Sequence, residues 1–379
     1  MKKFNYIVFV VIFFVTCGKD NDNKKTGGNT INVNWASAAD SSSKSLIYNF
    51  WNAQENCLFF NNSSGAPNNW NGNYWPQGHA LDVLADAYNR TGDGFYSHYF
   101  DLWYTGVRRA NGNKFLNDFY DDMEWIALAL FRTYNATGNE KWLTACREVW
   151  ADIQTGWNTQ GKGGIAWSKN HLWSKNACSN GPAAILAAFL YQQFHDEKDL
   201  DWALKIYGWE KEYLFNPATG AVNDNLDTRS GTITTWIMTY NQGTFLGAAL
   251  ELYKITGEKT YINDAIKAAD HTLSVLINTG DDLLKSEGTG DGGLFKGIFI
   301  RYFTQLILSD GISDNARKRY IAALKRNGET LWREGTNKQK VLFGPYWKTA
   351  PGDDTGLTEQ LSGCMLMEAL ALLKKKDML

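Results

Sequence analysis

Trp125-Ile126-Ala127-Leu128-Ala129-Leu130-Phe131-Arg132-Thr133-Tyr134-Asn135-Ala136-Thr137-Gly138-Asn139-Glu140-Lys141 is one unit of a pattern that runs through the chain. Apolar residues return every three or four positions, which is the period of a helix, and Thr137-Gly138 stops it before a charged restart. Ala80-Leu81-Val83-Leu84-Ala87-Tyr88 reaches the same break at Thr91-Gly92-Asp93, and Phe245-Leu246-Ala248-Ala249-Leu252 reaches it at Thr256-Gly257-Glu258. Ala183-Ile185-Leu186-Ala188-Phe189 leads to a weaker copy, Phe194-His195-Asp196-Glu197-Lys198. Self-similarity of this kind means repeated helical hairpins.

Extending the pattern predicts first helices near 77–90, 119–136, 179–195, 240–256, 292–309 and 357–374. Second helices fall near 95–109, 139–155, 198–213, 259–278 and 313–333, and 37–57 is left to pair with the last. The first helices are rich in small residues on several sides and belong inside; the second carry one charged face and belong outside. The economical packing is all-α, an (α/α)6 toroid of six inner and six outer helices. An open solenoid of hairpins is the competing architecture.

A toroid brings the N-termini of all six inner helices to one face, and the segments that precede them are unusual. They include Trp70-Asn71-Gly72-Asn73-Tyr74-Trp75-Pro76, Gly163-Gly164-Ile165-Ala166-Trp167, Lys175-Asn176-Ala177-Cys178-Ser179-Asn180-Gly181-Pro182, Trp236-Ile237-Met238-Thr239-Tyr240-Asn241-Gln242-Gly243, Gly290-Asp291-Gly292-Gly293-Leu294-Phe295-Lys296 and Gly344-Pro345-Tyr346-Trp347. Aromatic faces stack on the C–H faces of sugars, and Asn, Gln and Lys side chains bond hydroxyls, so this face reads as a carbohydrate cleft. Trp75, Trp167 and Trp347 are candidate platforms there. Trp51, Trp103, Trp142, Trp150, Trp202 and Trp209 read as core.

Into the same face opens Asn117-Asp118-Phe119-Tyr120-Asp121-Asp122-Met123-Glu124-Trp125. Paired carboxylates beside aromatics suit glycosidic cleavage, which needs one acid to protonate the leaving oxygen and one carboxylate to attack or stabilise the sugar carbon. Adjacent helical residues, about 100° apart around the axis, can meet the roughly 5 Å separation of a retaining pair. The structural alternative is a capping box made by Asp121 and Glu124, with acidic residues favoured by the helix dipole.

Lys2 and Lys3 precede an apolar run from Phe4 to Val15 that ends at Thr16-Cys17, the pattern of a lipoprotein leader over 1–17 with Cys17 as the lipidated residue. An ordinary secretory leader cut nearby is the alternative. Residues 18–34, rich in Asn, Asp, Lys and Gly, read as a flexible polar tether, which leaves 35–379 as a single folded domain. The expected location is outside the cytoplasm, as an outer-membrane-anchored lipoprotein that is periplasmic or at the cell surface. A hydrophobic share of 44% is ample for a large core. The net charge of −2, with no basic stripe, argues against nucleic acid. Five histidines without ligand spacing predict no metal centre, and no cofactor motif survives inspection. Gly288, Gly290 and Gly293 match GxGxxG, but no strand precedes them in a βαβ unit. Cys57, Cys146, Cys178 and Cys364 read as buried free thiols, with one disulfide pair as the alternative in an exported protein. A monomer is expected.

Several of these segments together resemble glycoside hydrolase family 76, the endo-α-1,6-mannanases, with fungal cell-wall transglycosylases as relatives. The resemblance rests on Tyr120-Asp121-Asp122 with Trp125, Gly163-Gly164-Ile165 with Trp167, Lys175-Asn176 with Ser179-Asn180-Gly181-Pro182, Tyr240-Asn241-Gln242-Gly243, and Lys296-Gly297-Ile298-Phe299 with Arg301-Tyr302. It implies the (α/α)6 fold, retention of configuration, Asp121 as nucleophile and Asp122 as acid/base. It marks Trp167, Asn176, Asn180, Tyr240, Asn241, Gln242, Lys296 and Arg301 as candidate substrate contacts, beside the loop aromatics Trp75 and Trp347, with α-mannan as the partner. Those roles require Asp121 to stay ionised while Asp122 holds a proton near neutrality. Two other readings stand beside this one: a non-catalytic glycan-binding lipoprotein on the same toroid, and another (α/α)6 glycosidase such as an unsaturated uronyl hydrolase. Intact paired acids count against the first, and the scarcity of arginine in these loops counts against the second.

Overall fold

The computed structural model describes residues 32–53, 58–65 and 73–379, and Val33–Leu379 form one compact unit. The leader with Cys17, nearly all of the tether, Cys57, and Trp70, Asn71 and Gly72 lie outside the described residues. Twelve α-helices are present among those described: α1 (Trp35–Phe50), α2 (Tyr74–Thr91), α3 (Gly94–Ala110), α4 (Tyr120–Thr137), α5 (Glu140–Gln154), α6 (Gly181–Phe194), α7 (Glu197–Tyr213), α8 (Thr239–Thr256), α9 (Lys259–Val275), α10 (Asp291–Leu308), α11 (Asp314–Arg333) and α12 (Leu357–Lys375). None is long and apolar enough to cross a membrane.

The even-numbered helices pack in a closed circuit, α2 on α4, α4 on α6, α6 on α8, α8 on α10, α10 on α12, and α12 back on α2. Each is backed by an outer helix, and α1 closes the second ring against α12. This is the (α/α)6 toroid. Burial follows the rings: α12 is buried on nearly every side, whereas α11 buries only the stripe Ala316, Tyr320, Leu324, Asn327, Gly328 and Leu331.

The repeated Thr-Gly breaks are left-handed helix ends. Gly92, Gly138 and Gly257 have φ of 68°, 67° and 71°, and their N–H groups donate to the carbonyls of Tyr88, Tyr134 and Tyr253. Glycine takes this conformation without a Cβ penalty. In the weaker copy His195 does the same at φ 57°, donating to Tyr191. Asp93, Asn139 and Asp196 then cap the next helix by accepting from the backbone N–H two residues on.

One predicted helix is shorter than its pattern. The run at 37–57 leaves the helix at Phe50, because Trp51–Asn52 (β1) pairs antiparallel with Leu58–Phe59 (β2) and Trp51 packs its ring edge-on against Phe59 and Tyr99. Trp103, Trp142, Trp150 and Trp209 are buried, and Trp51 and Trp202 pack half-buried against them. Cys146, Cys178 and Cys364 are buried free thiols.

Candidate active site

Because every inner helix runs in the same direction, their first turns share one end of the ring. A small antiparallel sheet covers part of that end, formed by β3 (Ser174–Asn176), β4 (Asn225–Asp227) and β5 (Thr232–Thr234), with Asn176 paired to Asn225 and Asn225 to Thr234.

Asp121 and Asp122 lie in the first turn of α4, half-buried. No capping box forms: the N-cap is Phe119, which makes no side-chain cap bond, and Glu124 is fully buried. Instead, Asp121 Oδ1 accepts from the Asp122 N–H at 3.0 Å and Oδ2 accepts from the Cys178 thiol at 3.3 Å. The start of α4 is clamped to the loop that carries Trp167: Tyr120 N–H donates to the Trp167 carbonyl at 3.0 Å, and the Trp167 ring packs on Phe119 at 5.0 Å. Gly164 has φ 79°, and a Cβ there would strike the Trp209 ring at 2.7 Å, so glycine is required where this loop turns under the site.

The two carboxyls have different electrostatics. Burial pushes Asp121 up to about 6, opposed by the hydrogen bonds it accepts from Cys178, the Asp122 backbone and Trp167. Asp122 is held well above the ordinary carboxylate range by burial first, then by the charges of Asp121 and Asp291. The order is the one that a nucleophile and an acid require. Glu124, one turn deeper, is also held well above the ordinary carboxylate range, by burial and then by Asp121 and Glu210.

Other cleft groups surround the pair. Trp75 donates its indole N–H to Asp291 Oδ1 at 3.2 Å, across from α4 at the start of α10. Tyr240, half-buried at the start of α8, stacks on Phe295 with centroids 4.0 Å apart and has its hydroxyl beside the Cys178 thiol. Asn176, half-buried, accepts from the Ser174 hydroxyl. Asn241 is buried and donates to Asp224 Oδ1 at 3.1 Å, which orients that carboxylate toward the same cluster.

Five candidates sit elsewhere. Asn180 is fully buried and spent on backbone, accepting from Ile165 N–H and donating to the carbonyls of Ile165 and Asn176. Gln242 is fully buried and donates to the Gly220 and Ala268 carbonyls. Lys296 is buried, donates to the Pro345 carbonyl at 2.7 Å over the Trp347 ring, and is pushed down to about 7 by burial. Trp347 has no exposed surface. Arg301 lies three turns along α10, paired with Asp86 at 2.9 Å and facing the far end of the ring. Burial removes the first four from ligand contact, and Asn241 with them, while helix position removes Arg301. In turn, Cys178, Asp224 and Asp291 were not singled out from sequence, although Cys178 and Asp291 stand inside segments that precede inner helices.

A match to the family model described as glycosyl hydrolase family 76 runs over residues 34–379. The chain belongs to that family. The α-1,6-mannanase GH76A of Salegentibacter sp. HEL1_6 superposes with a TM-score of 0.86 at 43% identity, covering 90% of this chain and all of that one. An inactive variant of the same protein, with two adjacent aspartates replaced by alanine, is solved in complex with α-1,6-mannotetrose and is 41% identical, with a TM-score of 0.85 over 90% of this chain and all of that one. The mannan endo-1,6-alpha-mannosidase DCW1 of Candida albicans is 26% identical over 268 residues, which is 62% of this chain and 56% of the yeast protein. The match thus spans little more than half the length of that relative.

The thiol beside Asp121 makes a test of the electrostatics. Cys178→Ala removes a donor to the Asp121 carboxylate, so its pKa rises and the acid limb of kcat/KM moves to higher pH, by roughly half a unit to one unit. Cys178→Ser, which keeps a donor, restores the limb. An acid limb unmoved in the alanine variant would show that the thiol does not tune Asp121.

Proposed function

We propose that this protein is a retaining, endo-acting hydrolase of α-1,6-mannosidic bonds in mannan. The observation that carries the reading is the adjacent pair Asp121 and Asp122, set among Trp75, Trp167 and Tyr240 with the first carboxyl held less basic than the second. The mannanase relative with two adjacent aspartates replaced is described as inactive and holds α-1,6-mannotetrose, which supports the same assignment here.

In the first step the Asp121 carboxylate bonds to the anomeric carbon as the C1–O6 bond breaks, and the Asp122 proton passes to the departing oxygen. In the second, water adds to C1, its proton returns to Asp122, and the ester to Asp121 breaks. Retention follows from two inversions. The experiment is incubation with linear α-1,6-mannan and sizing of products over time. An endo enzyme releases a spread of oligosaccharides early; mannose alone from the first time points would exclude endo action, and an untouched polymer would exclude the substrate.

The proposed location is outside the cytoplasm, anchored by lipid on Cys17, because the basic pair and apolar run before that residue have the form of a lipoprotein leader. Cys17→Ala is expected to move the protein from the membrane fraction to the soluble fraction with kcat/KM intact. A processed Cys17→Ala protein that stays with the membrane would remove the anchor.

A further inference from the structure

A cavity of about 600 Å³ opens at the other end of the ring, where the inner helices finish. That volume lies in the range of ligand pockets. Its lining is at odds with the helices that supply it. The inner helices bury apolar side chains over most of their length, whereas this end of the ring is lined by Asp82, Asp86, Arg132, Glu251, Arg301 and Glu368. Apolar side chains would have closed this end at lower desolvation cost.

The charges cancel locally. Arg132 and Arg301 meet Asp82 and Asp86 in one cluster, with Arg132 to Asp82 at 2.8 Å and Arg301 to Asp86 at 2.9 Å. Arg90 donates twice to Glu368, at 2.8 and 3.0 Å, and Lys254 meets Glu251 at 2.7 Å. A charged ligand would find no uncompensated counter-charge at these pairs, but a ligand with hydroxyls meets alternating donors and acceptors. Around the mouth, Asn89, Asn135, Gln193 and Gln305 stand on four different inner helices, and none makes a side-chain hydrogen bond within the described residues. Between them Phe131 and Phe189 lie parallel, 5.9 Å apart, with Phe189 half-buried at the wall.

We propose that this mouth is a second, non-catalytic site for a neutral saccharide. Free amides, neutralised ion pairs and an aromatic wall in a cavity of this size suit the vicinal hydroxyls and C–H faces of a sugar. The site is separated from Asp121 and Asp122 by the length of the inner helices, so it can hold a chain without blocking turnover.

The test uses the full protein carrying Asp121→Asn and Asp122→Asn, titrated with α-1,6-mannotetraose and, separately, maltotetraose. No tryptophan lines the cavity, while Trp75 and Trp167 line the cleft, so tryptophan fluorescence follows the cleft and calorimetry counts both sites. The expected result is two calorimetric equivalents of α-1,6-mannotetraose, one of them silent in fluorescence. Adding Asn135→Ala and Gln305→Ala should weaken the silent equivalent about tenfold and leave the fluorescent one unchanged. Maltotetraose in the silent site alone would also support it, as a site for neutral saccharides in general. Absence of a fluorescence-silent equivalent of both sugars up to millimolar concentration, or a silent equivalent indifferent to the two alanines, overturns the proposal. Failure of the cleft assignment would read differently: loss of the fluorescent equivalent with the silent one retained.

Discussion

Asp121→Ala and Asp122→Ala should each lower kcat on linear α-1,6-mannan by about three orders of magnitude or more, because each removes a group that bonds to or protonates the reacting atoms. On an aryl mannoside with a good leaving group the two should separate. Little protonation is then needed, so Asp122→Ala forms the glycosyl-enzyme and accumulates it, whereas Asp121→Ala forms none. Mass spectrometry of the quenched protein reads the difference, and NMR of the first-formed product should show the α anomer. The β anomer appearing first would end the double-displacement account and the nucleophile role of Asp121. Catalysis by the native enzyme should climb through about pH 6 as Asp121 loses its proton, and fall at higher pH where Asp122 loses its own. Stability should run the other way. Both carboxyls hold protons more tightly folded than unfolded, so the folded state binds more protons above the ordinary carboxylate pKa and loses stability as pH rises through that window. Asp122→Asn should therefore raise Tm by a few degrees at neutral pH while abolishing turnover.

The ring was legible because its signals are local. Gly92, Gly138 and Gly257 announce left-handed helix ends in the sequence itself, and inner helices such as α8, with Phe245, Leu246, Ala248 and Ala249 in sequence, carry too many apolar faces to sit outside. The helix ending at Phe50 was less legible, since the pairing that ends it depends on Leu58 and Phe59 further along the chain. At the site, helical position alone set Asp121 and Asp122 at the start of α4. What the residue type could not say was which polar groups remain free. The amides of Asn180 and Gln242 can bond a sugar hydroxyl, but they can equally bond a carbonyl, and here they hold Ile165 and Gly220 instead. Arg301 shared a helix with the cleft residues, yet ten residues of rise, about 15 Å, carry it to the opposite end. Cys178 escaped notice because a buried thiol is usually only packing, and its meaning here lies in the carboxylate it touches.

Gly243 is the clearest case of a residue in a functional-looking motif whose work is packing, and Gly243→Ala should be severely destabilising. It lies one turn into α8, after Asn241 and Gln242, and there α8 crosses α10 at backbone contact. A Cβ at this position would fall 2.6 Å from Phe299 Cα and 3.1 Å from its amide nitrogen. A side chain can swing away from such a clash, but a helix backbone inside a closed ring can move only by shifting its neighbours. Overpacking of this kind costs about 3 kcal/mol, which for a domain of this size is a Tm loss of roughly 4 °C. Gly257→Ala supplies the contrast. Gly257 also stands on α8, at its end, with φ 71° and nothing within 4 Å of the added Cβ, so only the left-handed strain applies, about 1 kcal/mol. Thermal unfolding of the two variants side by side should place Gly243→Ala well below Gly257→Ala. The reverse order would mean that α8 and α10 can slide apart at the catalytic end, and a ring that yields there could not hold Tyr240, stacked on Phe295 of the neighbouring helix, in a fixed relation to Asp121.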